Sequence, residues 1–145
     1  DEIKYTKLYI ELMEMRFRNR FNVNYNVNKD AYNLIVPKLI LQPFIENSIV
    51  HGFSQKKDSP GNIDINVYVK EGTLFFEVLD DGIGMDEGKM QEVLSDKRKG
   101  YAIYNVNERI RLSFGEGYGV AIKSELGKYA KITIRMPAIE KNLSN

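Results

Sequence analysis

Asn47 and His51 stand four residues apart in the segment Leu41-Gln42-Pro43-Phe44-Ile45-Glu46-Asn47-Ser48-Ile49-Val50-His51-Gly52. On a helix they share one face and look into one pocket. The amide oxygen of Asn47 suits a hard cation such as Mg²⁺, which keeps most of its waters and binds the phosphates of a substrate. Farther on, Asp80-Asp81-Gly82-Ile83-Gly84-Met85 sets a carboxylate at the end of an apolar run. The two glycines there let the backbone turn and come close to a flat ligand. Gly100 follows Lys97, Arg98 and Lys99 and opens a helical pattern, so backbone donors and cations meet where a chain of phosphates could lie. Each feature also has a plainer use. An isolated asparagine caps a helix, a lone histidine is a structural hydrogen-bonding group, Asp-Gly is a hairpin turn, and a basic run is a solvated face. On the residues alone both uses stay open.

The elements that must position these groups are legible from period and punctuation. Tyr9, Leu12, Met13 and Phe17 recur at helical spacing within 6–18, an amphipathic helix. Phe21, Val23, Tyr25 and Val27 alternate with asparagines, a half-buried strand. Pro37 suits a helical first turn, so 39–50 reads as a mostly buried helix stopped by Gly52. A polar loop over 54–62 leads to a hairpin of 63–69 and 74–79. A short helix over 86–94, a charged link over 95–100 and a helix over 102–114 follow, the last with Ile103, Val106, Ile110 and Phe114 on one side. Two strands, 118–124 and 130–136, close the chain around Gly127. This order predicts an α+β fold, a two-layer α/β sandwich whose mixed or antiparallel sheet carries its helices on one face.

The 145 residues bound the problem to one core, with 43% hydrophobic and 28% charged residues, an ordinary globular balance. Lysine plus arginine at 21 against aspartate plus glutamate at 20 leaves no global field for nucleic acid, so an anion site must be local. No cysteine is present, which excludes disulfides, thiolate metal sites and thiol nucleophiles. No apolar run approaches the roughly 20 residues that span a bilayer. The acidic start is unlike a signal peptide, and a start inside a helical pattern reads as a cut from a longer protein. Neither a Walker A motif nor the signatures of eukaryotic-type kinases occur.

Taken in order, the three segments resemble the N, G1 and G2 boxes of the Bergerat-type (GHKL) ATPase superfamily of gyrase, a heat-shock chaperone, histidine kinases and mismatch-repair proteins. Leu41-Gln42-Pro43 before Glu46-Asn47, with His51-Gly52 after it, resembles bacterial sensor histidine kinases carrying an LQPxxEN box. Tyr9-Ile10-Glu11 and Arg16-Phe17 are similar to the end of that group's phosphoacceptor module. The resemblance covers nearly the whole chain. It implies that 1–20 is the remnant of the dimerisation and phosphoacceptor module and 21–145 the ATP-binding catalytic domain.

By that resemblance, ATP and Mg²⁺ are the cofactors, Asn47 is the metal ligand, and Glu46 orients its water shell. Asp80 accepts from the adenine amino group, with Gly82, Gly84 and Met85 around it. His51, Arg98, Lys99, Gly100, Tyr101, Ile103 and Asn105 complete the nucleotide site, the basic residues belonging to a lid. Ala102 stands where the G2 box has its second glycine, Val50 where relatives have lysine, and Tyr129-Ala130 where glycine and threonine are common, so weakened ATP binding is expected. Gyrase-like relatives carry a water-activating glutamate four residues before the metal asparagine; Pro43 holds that position here and accepts no proton. The expected reaction is therefore transfer of the γ-phosphate to a histidine on an upstream helical module, then to a response regulator. The expected parent is a membrane-anchored homodimer with this domain in the cytoplasm. A degenerate nucleotide-sensing module and an anti-sigma-factor-type serine kinase are the alternatives.

Overall fold

The computed structural model describes residues 2–16, 21–37, 40–53, 60–95 and 101–141. The side chains before Lys7 and those of Val50, His51 and Tyr101 lie outside the description, as do Phe17 of the expected helical stripe and all of 54–59.

Alternation builds the sheet. In β2 (Gly61–Lys70), Ile63, Ile65 and Val67 are buried; in β3 (Thr73–Asp80), Leu74, Phe76 and Val78; in β5 (Tyr129–Pro137), Ala130, Ile132, Ile134 and Met136. This period of two puts every second side chain on one face. With β1 (Phe21–Val27) and β4 (Gly119–Glu125) the described strands run in the order β1-β2-β3-β5-β4. β1 and β2 are parallel, with Phe21 opposite Gly61, and the remaining pairs are antiparallel. Ile63 lies opposite Asp80 across the β2–β3 hairpin.

The apolar face carries the helices, as the α+β reading expects. α4 (Tyr101–Phe114) buries Ile103, Val106 and Ile110 and packs on β4, β5, α3 (Glu87–Ser95) and α2 (Gln42–Asn47). Asn107 fastens α4 to the sheet edge, its Oδ1 accepting from the Val120 amide at 2.9 Å. The opposite face is polar: Asn22, Asn24 and Asn26 of β1 stand beside Asn62, Asp64 and Asn66 of β2. There Asn24 Nδ2 donates to Asp64 Oδ1 at 3.0 Å, and Tyr68 stacks on Phe75 at 4.9 Å.

Two helical readings are corrected. The helix expected over 39–50 with Pro37 in its first turn starts instead at Gln42, with Pro43 in the first turn and Pro37 outside it. A helix running through position 43 would lose a backbone bond there and meet the proline ring, so Pro43 is tolerated only at the start. The chain then widens into a π turn over Ser48–Gly52, in which Phe53 N donates five residues back to Ser48 O at 3.0 Å. α1 (Glu2–Arg16) buries Ile10 and Met13, whereas Leu12, expected on the buried stripe, is 65% exposed. Its apolar residues occupy two faces. Ile10 and Met13 meet the core, while Leu8, Leu12 and Met15 form an outward row at i, i+4 and i+7.

Candidate nucleotide-binding site

Asp80 ends β3 on the helix-bearing face and is 1% exposed. A buried carboxylate must be hydrogen-bonded. Ser48 Oγ, itself 0% exposed, donates to Asp80 Oδ2 at 2.7 Å, and the Gly82 amide donates to Oδ1 at 3.0 Å. A carboxylate has about four acceptor positions, so these two bonds are compatible with a third from a ligand. Ser48 lies in the turn immediately after Asn47, so the metal-ligand candidate and the buried acid are joined through one intervening residue.

The turn after Asp80 is held from three sides. Ile83 N donates to Gly52 O at 2.8 Å, tying it to the π turn. A Cβ on Gly82 would fall 2.2 Å from that same carbonyl, so the approach requires glycine. Toward β4 and β5, Gly127 N donates to Ile83 O at 2.6 Å and Met85 N to Ser124 Oγ at 2.7 Å. Ser124 Oγ in turn donates to Tyr129 O at 2.6 Å. Gly84 has φ +68°, and a Cβ there would lie 2.3 Å from Glu125 O. Toward β2, Asp81 accepts from Asn62 N and Asn62 Nδ2, both at 2.8 Å, while Asp81 N donates to Asn62 O at 3.2 Å. Adjacent acids thus do different work: Asp80 stays buried at the site, and Asp81 staples the turn to the sheet.

The structure brings Asp80, Gly82, Gly84 and Met85 together beside the turn that follows Asn47, which is half-buried. Glu46 is exposed and accepts a hydrogen bond from Tyr9 of α1; burial first, then the Glu46 charge and this bond, push the Tyr9 hydroxyl up to about 12. Ile103 belongs to the core at 4% exposure, and Asn105 is exposed on α4. Arg98, Lys99 and Gly100, and the side chains of His51 and Tyr101, lie outside the described residues. Among the described residues no group of three or more His, Asp or Glu could hold a metal. A Mg²⁺ ion carried on phosphates needs no such cage, and the single amide of Asn47 fits it.

Ser48, Asn62, Asn107 and Ser124 were not singled out from sequence. Ser48 did carry a signal: a small polar residue beside Ile45 and Ile49 in a buried run must find a partner.

A buried acid closing a strand, a glycine turn against an asparagine-ended helix, and a mixed sheet covered on one face define a class of nucleotide-binding domain. The chain belongs to the histidine kinase-, DNA gyrase B- and HSP90-like ATPase family, whose pattern matches residues 34–140. It is 33% identical over 141 residues to the sensor protein LytS of Bacillus cereus, covering 94% of this chain and 24% of that protein. It is also 33% identical over 137 residues to the sensor histidine kinase YesM of Bacillus subtilis, covering 94% and 23%. The chain therefore spans about a quarter of the length of these curated relatives. Among solved structures, the catalytic domain of histidine kinase ThkA shares the fold at TM-score 0.74 and 11% identity, covering 96% of this chain and 94% of that one.

Proposed function

We propose that this chain is the ATP-binding catalytic domain of a sensor histidine kinase, passing the γ-phosphate of Mg²⁺-ATP to a histidine on a helical module of its parent protein. The observation that carries the reading is Asp80, a carboxylate buried to 1% exposure that accepts from Ser48 at one oxygen and from the Gly82 amide at the other, at the place where an adenine amino group would donate. Asn47 takes the metal, which when bound neutralises and aligns the phosphates. Glu46 orders its water shell, and His51, Arg98, Lys99, Gly100, Tyr101 and Asn105 meet the phosphates from the turn and lid. Ile103 acts from the core, seating the first turn of α4. Pro43, in the first turn of α2, accepts no proton, which favours transfer to a protein over hydrolysis.

Residues 1–20 then end the phosphoacceptor module and 21–145 form the catalytic domain; β1 already lies in the sheet. The outward row Leu8, Leu12 and Met15 of α1 supports a helical partner and hence a homodimeric parent. That parent is read as membrane-anchored, with this domain in the cytoplasm and a response regulator as its acceptor. Among the described residues no helix is long and apolar enough to cross a membrane.

The test is phosphotransfer from γ-labelled ATP in the parent protein. Acid-labile, base-stable label on an upstream histidine is expected, and Asn47→Ala abolishes it. Fast hydrolysis by the 145-residue chain alone indicates a gyrase-like ATPase instead, and nucleotide binding with no transfer indicates a sensing module.

A further inference from the structure

The hydroxyl of Ser48 is the part of the site that packing does not explain. Ser48 is 0% exposed beside Ile45 and Ile49, at 0% and 6%. An alanine would fill that place equally well. A hydroxyl buried there costs free energy unless it is bonded. In helical segments serine commonly bonds back to the carbonyl four residues earlier. Here its hydroxyl reaches across 32 residues of sequence to Asp80 Oδ2 at 2.7 Å, the short range of a charge-assisted bond.

The carboxylate torsion of aspartate is broad and roughly two-fold, so nothing intrinsic to Asp80 sets its plane. Donors on two different elements hold it. Ser48, from the π turn, holds Oδ2, and Gly82, from the glycine turn, holds Oδ1 at 3.0 Å. The carboxylate also lies against Gly52, where a Cβ would come 3.2 Å from Oδ1.

We propose that Ser48 is a specificity-determining positioning residue, whose hydroxyl locks the Asp80 carboxylate in the orientation that accepts the 6-amino group of adenine. The proposal rests on the adenine reading of Asp80 above. A carboxylate only accepts, so in a locked orientation it rewards the amino donor of adenine and repels the 6-keto oxygen of guanine. Released from Ser48, it turns toward whatever donor or water is nearest and loses that selectivity.

The test uses the 145-residue chain with Mg²⁺-ATP, Mg²⁺-GTP and the triphosphate of purine riboside, which lacks the 6-amino group. In the native chain ATP binds more tightly than both. Ser48→Ala weakens ATP by about tenfold, leaves the purine riboside compound nearly unchanged, and narrows the ATP-to-GTP ratio. Ser48→Thr, which keeps the hydroxyl, restores most of the loss. Should the alanine variant not hold its fold, Ser48→Cys, a weak donor of similar size, carries the same comparison. Equal weakening of ATP and the purine riboside compound shows that Ser48 only supports packing and overturns the proposal. Unchanged ATP affinity in Ser48→Ala does the same. A native chain that fails to distinguish the three nucleotides overturns the adenine reading, and the proposal falls with it.

Discussion

Gly84 and Gly127 both have positive φ, +68° and +83°, yet they answer to different constraints. At Gly127 a Cβ meets nothing within 4 Å, so only the left-handed backbone resists a side chain. At Gly84 the Cβ would also strike the Glu125 and Tyr129 carbonyls. Gly127→Ala should therefore cost about 1–2 kcal/mol, and Gly84→Ala about 1–3 kcal/mol more, since a backbone neighbour cannot yield. Denaturant unfolding of the two variants checks this, and equal costs would refute the packing account of the turn. At this scale the strand end at Asp80 and the glycine turn of Gly82 and Gly84 were legible from residue type and spacing. The Asp81 staple was not, because Asn62 lies 19 residues away and only the β2–β3 register brings it opposite.

Elements were read well where one period dominated. The alternation of β1, the hairpin of β2 and β3, and the Ile103, Val106 and Ile110 side of α4 all stand as the pattern implied. The expected start of α2 at Pro37 fails because a helix running on from there would carry Pro43 in its interior. α1 was misread because its apolar residues serve two faces. That helix is held by Ile10 and Met13, by the Tyr9 bond to Glu46, and by Lys7 lying over the Tyr25 ring at 5.1 Å. Tyr25 is likewise pushed up to about 12, by burial first and then by Glu14 and Glu11. Tyrosine in the unfolded chain ionises near 10, so between pH 10 and about 12 the folded state holds more protons. Stability contributed by these two groups is full below pH 10 and is lost as pH rises through that window. Melting temperatures should fall across it less steeply in a Tyr9→Phe, Tyr25→Phe double variant than in the native chain. Identical slopes would contradict the packing of α1 against α2 and β1.

For the whole molecule, a sheet covered on one face leaves the other polar and gathers the buried acid, the glycine turn and the Asn47 turn on the covered side. Near-neutral net charge means that a nucleotide is recognised by local groups and not drawn in by a general field. The α+β class and the three segments were visible in sequence because each depends on local pattern. The meeting of the first two segments was not, because it depends on Asp80 at the end of β3 and the glycine turn after it coming against Ser48 and Gly52. The most direct measurement of the central claim is calorimetry of the 145-residue chain with Mg²⁺-ATP, Mg²⁺-GTP and the Asp80→Asn variant. ATP should bind with clear preference over GTP. Asp80→Asn should weaken ATP by about 1.5–3 kcal/mol, ten- to a hundredfold, by removing a charged acceptor from a buried position. ATP binding that is indifferent to Asp80→Asn, or GTP competing equally with ATP, would contradict the account.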